Sequence, residues 1–114
     1  MVQLEQMEPV LAAVAEAQVL LEMVGMLLDH PVVVQEQELL KERQVQMAEI
    51  QTDRELMGIS LAPVVLVVIG QVERKLLQVA QEVTAGYKLI ILVIAGQFQQ
   101  IVALISMHFQ QQVG

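Results

Sequence analysis

The chain of 114 residues contains no cysteine, no tryptophan and no asparagine. Without cysteine it can form no disulfide, no cysteine-based zinc site and no iron–sulfur cluster, and it has no thiol chemistry. Asparagine is a common residue at turns and helix caps, so its absence is unexpected in a natural domain. In its place the chain uses nineteen valines and seventeen glutamines.

Basic side chains are also scarce: the chain has six Lys and Arg residues but thirteen Asp and Glu residues. The formal net charge of −7 repels phosphate backbones, so we expect no nucleic-acid partner. Glu5 and Glu8 stand where a secretory signal would carry positive charge, so no signal peptide is expected. The mean hydropathy of +0.57 is too high for a disordered chain. The length predicts a single domain over residues 1–114.

Apolar residues recur at steps of three and four along four segments of similar length, which predicts four amphipathic helices. The predicted helices cover about 2–29, 32–57, 61–85 and 87–112. Pro31 is expected to end the first helix, and Gly58 and Gly86 are expected to end the second and third. Ser60 is a candidate N-cap of the third helix. Short connections between helices of equal length predict an all-α, up-down-up-down four-helix bundle.

The predicted core positions form one apolar stripe on each helix. On the first helix they are Met7, Val10, Val14, Ala17, Leu21, Val24 and Leu28. On the second helix they are Val33, Leu40, Met47, Ile50 and Met57. On the third helix they are Val65, Val68, Val72, Leu76, Val79 and Val83. On the fourth helix they are Ile91, Ile94, Phe98, Ile101, Ile105 and His108.

Two runs of β-branched residues support an alternative α/β fold with a small parallel sheet built from 64–69 and 89–94. Each run ends at a glycine and precedes an amphipathic stretch. A first helix of about 40 Å is too long to cover strands of six residues, and a parallel sheet needs more than two strands. The helical bundle is therefore the preferred prediction.

The sequence contains none of the short motifs that carry catalysis or nucleotide binding. Ser60 and Ser106 have no histidine at a spacing typical of nucleophilic catalysis, and the two Glu-x-x-His pairs of a di-iron bundle are missing. We therefore expect a protein that is not an enzyme and has no metal-ion site.

One pair of residues remains as a candidate binding site for a cofactor. In the predicted topology, the start of the first helix and the end of the fourth lie at the same end of the bundle, so Met7 and His108 lie at similar heights on core stripes. A thioether and an imidazole that face each other are axial ligands that a b-type haem uses. His30 belongs to the opposite end and cannot pair with His108.

Two stretches, "LEQMEP" (4–9) and "IGQVERKLLQVA" (69–80), resemble parts of the small, soluble, periplasmic b-type cytochromes with a four-helix bundle. The resemblance implies that Met7 and His108 hold haem b and that the protein transfers electrons. The matching stretches cover about a fifth of the chain. In its composition the rest of the chain looks like a designed or library-derived helical bundle.

Three classes of function follow from these observations. The preferred one is a non-enzymatic structural bundle that self-associates through the apolar stretches 61–69 and 87–96. The second is a haem-binding, electron-transfer bundle. The third is a membrane- or lipid-associated protein, which is not favoured because no uninterrupted apolar run reaches about 18 residues.

Overall fold

A computed structural model describes the backbone of residues 2–57 and 60–113 and the side chains of residues 10–51 and 60–110. This part of the chain forms four α-helices and contains no β-strand. The helices are α1 (Val2–Leu27), α2 (Pro31–Met57), α3 (Ala62–Glu82) and α4 (Ala85–Val113). The predicted all-α four-helix bundle is confirmed. The alternative α/β fold is wrong, because 64–69 and 89–94 both lie inside helices.

The helices pack as two antiparallel pairs, α1 with α2 and α3 with α4, which then pack against each other. Across this interface α1 contacts both α3 and α4, and α2 contacts α3. In the described part of the chain α2 and α4 do not touch, so they occupy the two far corners of the bundle. The bundle is elongated, with extents of 47 × 26 × 17 Å. Helix α4 therefore leaves much of its circumference without a neighbour.

The core is built from the predicted stripes on α1, α3 and α4. Their apolar residues are buried, apart from Leu28 and Val83 at helix ends, which are half-buried. On α2 the prediction is right for Val33, Leu40 and Met47, but Ile50 is 39 % exposed. Position 50 is rotated by about 60° from position 47, because each residue turns the helix by about 100°. The side chains of Met7 and Met57 lie outside the described residues.

The connection between α3 and α4 differs from the prediction, because Gly86 lies inside α4 and does not end the third helix. The chain leaves α3 at Val83, which has an extended backbone. Thr84 then starts α4, and its carbonyl oxygen accepts the amide of Lys88 at 2.9 Å. Threonine is a favourable residue at the start of a helix, and here that preference outweighs the tendency of glycine to end one.

The start of α3 is close to the prediction. The hydroxyl Oγ of Ser60 accepts the backbone amide of Ala62 at 3.1 Å, so Ser60 supplies the capping oxygen. The geometric N-cap is Leu61, whose side chain makes no capping hydrogen bond. Leu61 is fully buried instead, and it anchors the start of the helix in the core. Gly58, the predicted end of the second helix, lies outside the described residues.

Candidate binding site

A cavity of about 370 Å³ lies between α1 and α4. Its position follows from the antiparallel packing of the two helices, which brings the middle of α1 against the second half of α4. Six apolar side chains, one carboxylate and one imidazole form its described wall. These are Val10, Ala12, Ala13 and Glu16 on α1 and Ile101, Leu104, Ile105 and His108 on α4.

His108 is half-buried and lines this cavity, as its place on the core stripe of α4 predicts. The position of the Met7 side chain lies outside the described residues, so the predicted pairing of Met7 with His108 stays a prediction. His30 lies at the other end of the bundle, where its Nε2 is 3.0 Å from Oε2 of Glu82. The two histidines therefore do not form a pair.

The described cavity wall suits only part of a haem group. Apolar side chains and one imidazole match the porphyrin ring and one axial position. The two propionates need cationic partners, but the described wall holds no Lys or Arg, and α4 has no Lys or Arg after Lys88. Glu16 instead places a negative charge at the wall, which repels propionates. The charge of the described wall therefore does not match the two propionates of haem b.

A second feature of the same side of the bundle is its exposed apolar surface. Among the described residues, four large apolar side chains are exposed on α1 and seven on α4, against three on α2 and one on α3. Nine of them form what we call the α1/α4 face. These are Val19, Met23, Met26 and Leu27 on α1 and Leu89, Ile90, Val93, Leu104 and Met107 on α4.

The opposite side of the bundle carries most of the charge. In the part whose side chains are described, α2 and α3 hold ten charged residues, whereas α1 and α4 hold only Glu16, Glu22 and Lys88. Polar contacts also connect α2 to α3, since Nη1 of Arg43 donates to Oε1 of Gln71 at 2.6 Å. The molecule is thus amphipathic as a whole, with an apolar side and a charged side.

The apolar stretch 61–69 does not supply the exposed surface that was expected of it. Leu61, Val65 and Ile69 are fully buried in the core of the bundle, and Pro63 and Val67 are the exposed residues of the stretch. The stretch 87–96 differs, because Leu89 and Val93 are more than half exposed. The exposed apolar surface is therefore contributed mainly by α4, together with α1.

Two helices are long and apolar enough to cross a membrane by length and composition alone, over Val10–Leu27 and Ala85–Gln110. Core helices of water-soluble proteins also meet this criterion when they are mostly buried. Here only 39 % and 33 % of the two windows are buried inside the bundle. Their apolarity therefore exceeds what the core of one molecule uses.

Among the residues whose side chains are described, no group of three or more His, Asp or Glu residues is placed to hold a metal ion. One buried polar side chain, Gln18, lies on α1. Its Nε2 donates to Oε1 of Glu22 at 3.2 Å, while no hydrogen bond to its own Oε1 is found within the described part. Gln18 does not line the cavity and is not part of the candidate site.

Comparison of the chain with protein families, with curated proteins and with solved structures gives no match. The class that the fold defines is an all-α four-helix bundle, and any function has to be argued from its surfaces and its cavity.

The sequence pattern singled out His108 but not Glu16, and both residues line the cavity. Glu16 lies on the edge of the apolar stripe of α1, on the flank that faces α4. Periodicity separates a buried face from an exposed one, but it does not show which neighbour an edge position faces. The one hint in the sequence is that Glu16 stands between two core residues, Val14 and Ala17.

Proposed function

We propose that this protein is a non-enzymatic structural bundle that self-associates, and that the α1/α4 face packs against the same face of a second copy. The observation that carries the proposal is the exposed apolar side chains on α1 and α4, on the side of the molecule that is nearly free of charge. A monomeric protein rarely leaves such a surface in water. A face that packs on itself fits the two-fold symmetry of most small oligomers.

The size of the face supports a weak to moderate interface. From Leu89 to Met107 the exposed residues of α4 extend over about 27 Å at 1.5 Å per residue. Two neighbouring helices, each about 10 Å wide, then give roughly 500 Å² in projection. Stable interfaces bury about 800 Å² of accessible surface per partner, and weak ones bury less. We therefore expect self-association that depends on protein concentration.

The test compares two valines that differ only in the side of the bundle they occupy. Val93 is 56 % exposed on the α1/α4 face, and Val67 is 58 % exposed on α3. Val93→Glu places one carboxylate per subunit in the proposed interface, where burial of an unpaired charge is costly. Val67→Glu makes the same chemical change on the outside of α3. Light scattering and analytical ultracentrifugation measure the mass over a range of concentrations.

Wild type and Val67→Glu should both exceed the monomer mass of 12.7 kDa at high concentration. Val93→Glu should weaken association at least about tenfold, because a single unpaired buried charge costs more than about 1.4 kcal/mol. A wild-type protein that remains monomeric at all concentrations contradicts the proposal. Equal effects of both variants exclude the α1/α4 face. Monomers that float with lipid vesicles would indicate instead the membrane-associated alternative.

The haem-binding bundle is a second candidate, favoured by the single observation that His108 lines an apolar cavity. If it is correct, haemin should bind one to one with a sharp Soret band, and His108→Ala should abolish that band. Met7→Ala should shift the spectrum but leave some binding, because His108 can still hold one axial position. The matched control is His30→Ala at the other end of the bundle, which should leave the haemin spectrum unchanged. An unchanged haemin spectrum on mixing with wild type excludes the candidate.

A further inference from the structure

The cavity between α1 and α4 has the dimensions of a site for a small molecule. Its volume of about 370 Å³ is at the lower end of the range typical of ligand pockets, about 300–1,000 Å³. Val10, Ile101 and Ile105 are buried in its wall and the imidazole of His108 is half-buried there, so the interior is mainly apolar. A ligand that enters it exchanges water for aliphatic side chains, which favours a compact apolar body such as one or two fused rings.

The charge at the cavity wall determines which end group such a ligand carries. Glu16 is the only carboxylate on the described wall, and no described wall residue is Lys or Arg. The Glu16 side chain is exposed, so its carboxylate keeps contact with water while it borders the apolar interior. An apolar interior with a carboxylate at its edge is complementary to a ligand with an apolar body and a positively charged head.

We propose that this cavity binds small hydrophobic amines in their protonated form, with the ring system between α1 and α4 and the ammonium group beside the carboxylate of Glu16. The attraction is that of a partly screened ion pair, so it adds selectivity to a binding energy supplied mainly by apolar contact. The same carboxylate repels a ligand of equal shape that carries a negative head. The cavity therefore discriminates by the sign of charge.

This proposal does not depend on self-association. Leu104 belongs both to the cavity wall and to the α1/α4 face, so a second copy packed there would compete with the ligand. Measurements at low protein concentration, repeated with Val93→Glu, separate the two effects. Val93 is not among the described residues of the cavity wall, so at low protein concentration its substitution should leave ligand binding unchanged.

The experiment uses two fluorescent probes of the same shape, 1-naphthylmethylamine as the cation and 1-naphthylacetate as the anion. Wild type should bind the cation about three- to tenfold more tightly, the range expected for attraction of one charge and repulsion of the other at a solvated site. Glu16→Gln should bring the two affinities within about twofold of each other. Fluorescence titration measures both affinities, at neutral pH and physiological ionic strength.

The matched control is Glu22→Gln, which removes the same charge from an exposed position on the same helix. Glu22 lies six residues, or about 9 Å, further along α1, which is beyond the screening length of about 8 Å at that ionic strength. Its substitution should therefore keep the preference for the cation. Equal loss in both variants would indicate an effect of net charge alone and overturn the assignment to Glu16.

Ala13→Leu tests the location of the site, because the larger side chain occupies part of the cavity while remaining apolar. It should weaken binding of both probes at least about fivefold, and circular dichroism should show the same helical content as in wild type. Unchanged binding in Ala13→Leu, or an anion that binds as tightly as the cation to wild type, would overturn the proposal.

Discussion

His30 connects the two helix pairs through both nitrogen atoms of its ring. Its Nδ1 is 3.2 Å from the backbone amide of Val32, and its Nε2 is 3.0 Å from the Glu82 carboxylate. A backbone amide can only donate, so Nδ1 accepts and the ring proton is on Nε2, which donates to Glu82. His30 also provides the carbonyl that accepts the amide of Val34 at 3.1 Å. The imidazole therefore acts as the N-cap of α2 and ties it to the end of α3.

We expect His30→Ala to lower the free energy of unfolding by about 1–2 kcal/mol, because it removes a helix cap and a hydrogen bond to a carboxylate. His30→Asn should cost less than half as much, since asparagine is a good N-cap but does not reach Glu82. Glu82→Ala should cost at most about 0.5 kcal/mol, because Glu82 is largely exposed. Urea denaturation measures all three, and an Asn variant as unstable as the Ala variant would refute the capping role.

Individual helices show where their sequences depart from ideal helix formers. Gly70 in α3 has open space where a Cβ atom would lie. At Gly25 in α1 a Cβ atom would collide with the side-chain amide of Gln37 on α2. That amide donates to the carbonyl oxygen of Leu21 at 3.3 Å, so Gly25 allows a polar contact between α1 and α2. A close approach of Gln37 thus requires glycine at position 25, whereas no neighbour requires it at position 70.

Gly70→Ala should stabilise the protein by about 1 kcal/mol, because alanine is the better helix former and meets no neighbour. Gly25→Ala should change stability little, because the same gain is offset by displacement of Gln37 from its hydrogen bond, worth about 0.5–1.5 kcal/mol. Thermal unfolding followed by circular dichroism measures both changes. In a Gln37→Ala background, Gly25→Ala should recover the full gain, and its absence there would rule out this explanation.

The helices themselves were predictable, because a buried stripe at steps of three and four is a local property of the sequence. It placed Val14, Leu76 and Phe98 correctly in the core. The errors arose where two local rules competed. Gly86 has the residue type of a helix end, but Thr84 starts the next helix two residues earlier. Ile50 is apolar, but it lies off the line that continues from Met47.

The arrangement of the whole molecule was less predictable, because it depends on which helices become neighbours. The sequence gives no direct sign that α2 and α4 occupy far corners, and this placement is what exposes the outer side of α4. The packing of α4 against α1 also forms the cavity that Glu16 borders. Both the α1/α4 face and the charge of the candidate site are therefore products of packing between helices, which periodicity does not encode.

Self-association of the folded state should make thermal stability depend on protein concentration, because assembly stabilises only the native chain. Over a hundredfold range of concentration, we expect the Tm of wild type to rise by about 2–10 °C, from mass action and the usual Tm change per kcal/mol for a domain of this size. Val93→Glu should show a nearly constant Tm, whereas Val67→Glu should behave as wild type. Differential scanning calorimetry provides the measurement, and a Tm of wild type that stays constant would contradict self-association.

The antiparallel arrangement has a consequence for the connectivity of the chain. Helix α1 begins, α2 ends, α3 begins and α4 ends at one and the same end of the bundle. A chain that starts at residue 60, passes from α4 to α1 through a short new linker and stops at residue 57 would thus contain the same four helices with the same neighbours. Circular permutation is tolerated where the new ends lie between helices and the original ends lie close together. The spatial arrangement of the four helices therefore does not require the order in which they follow one another along this chain.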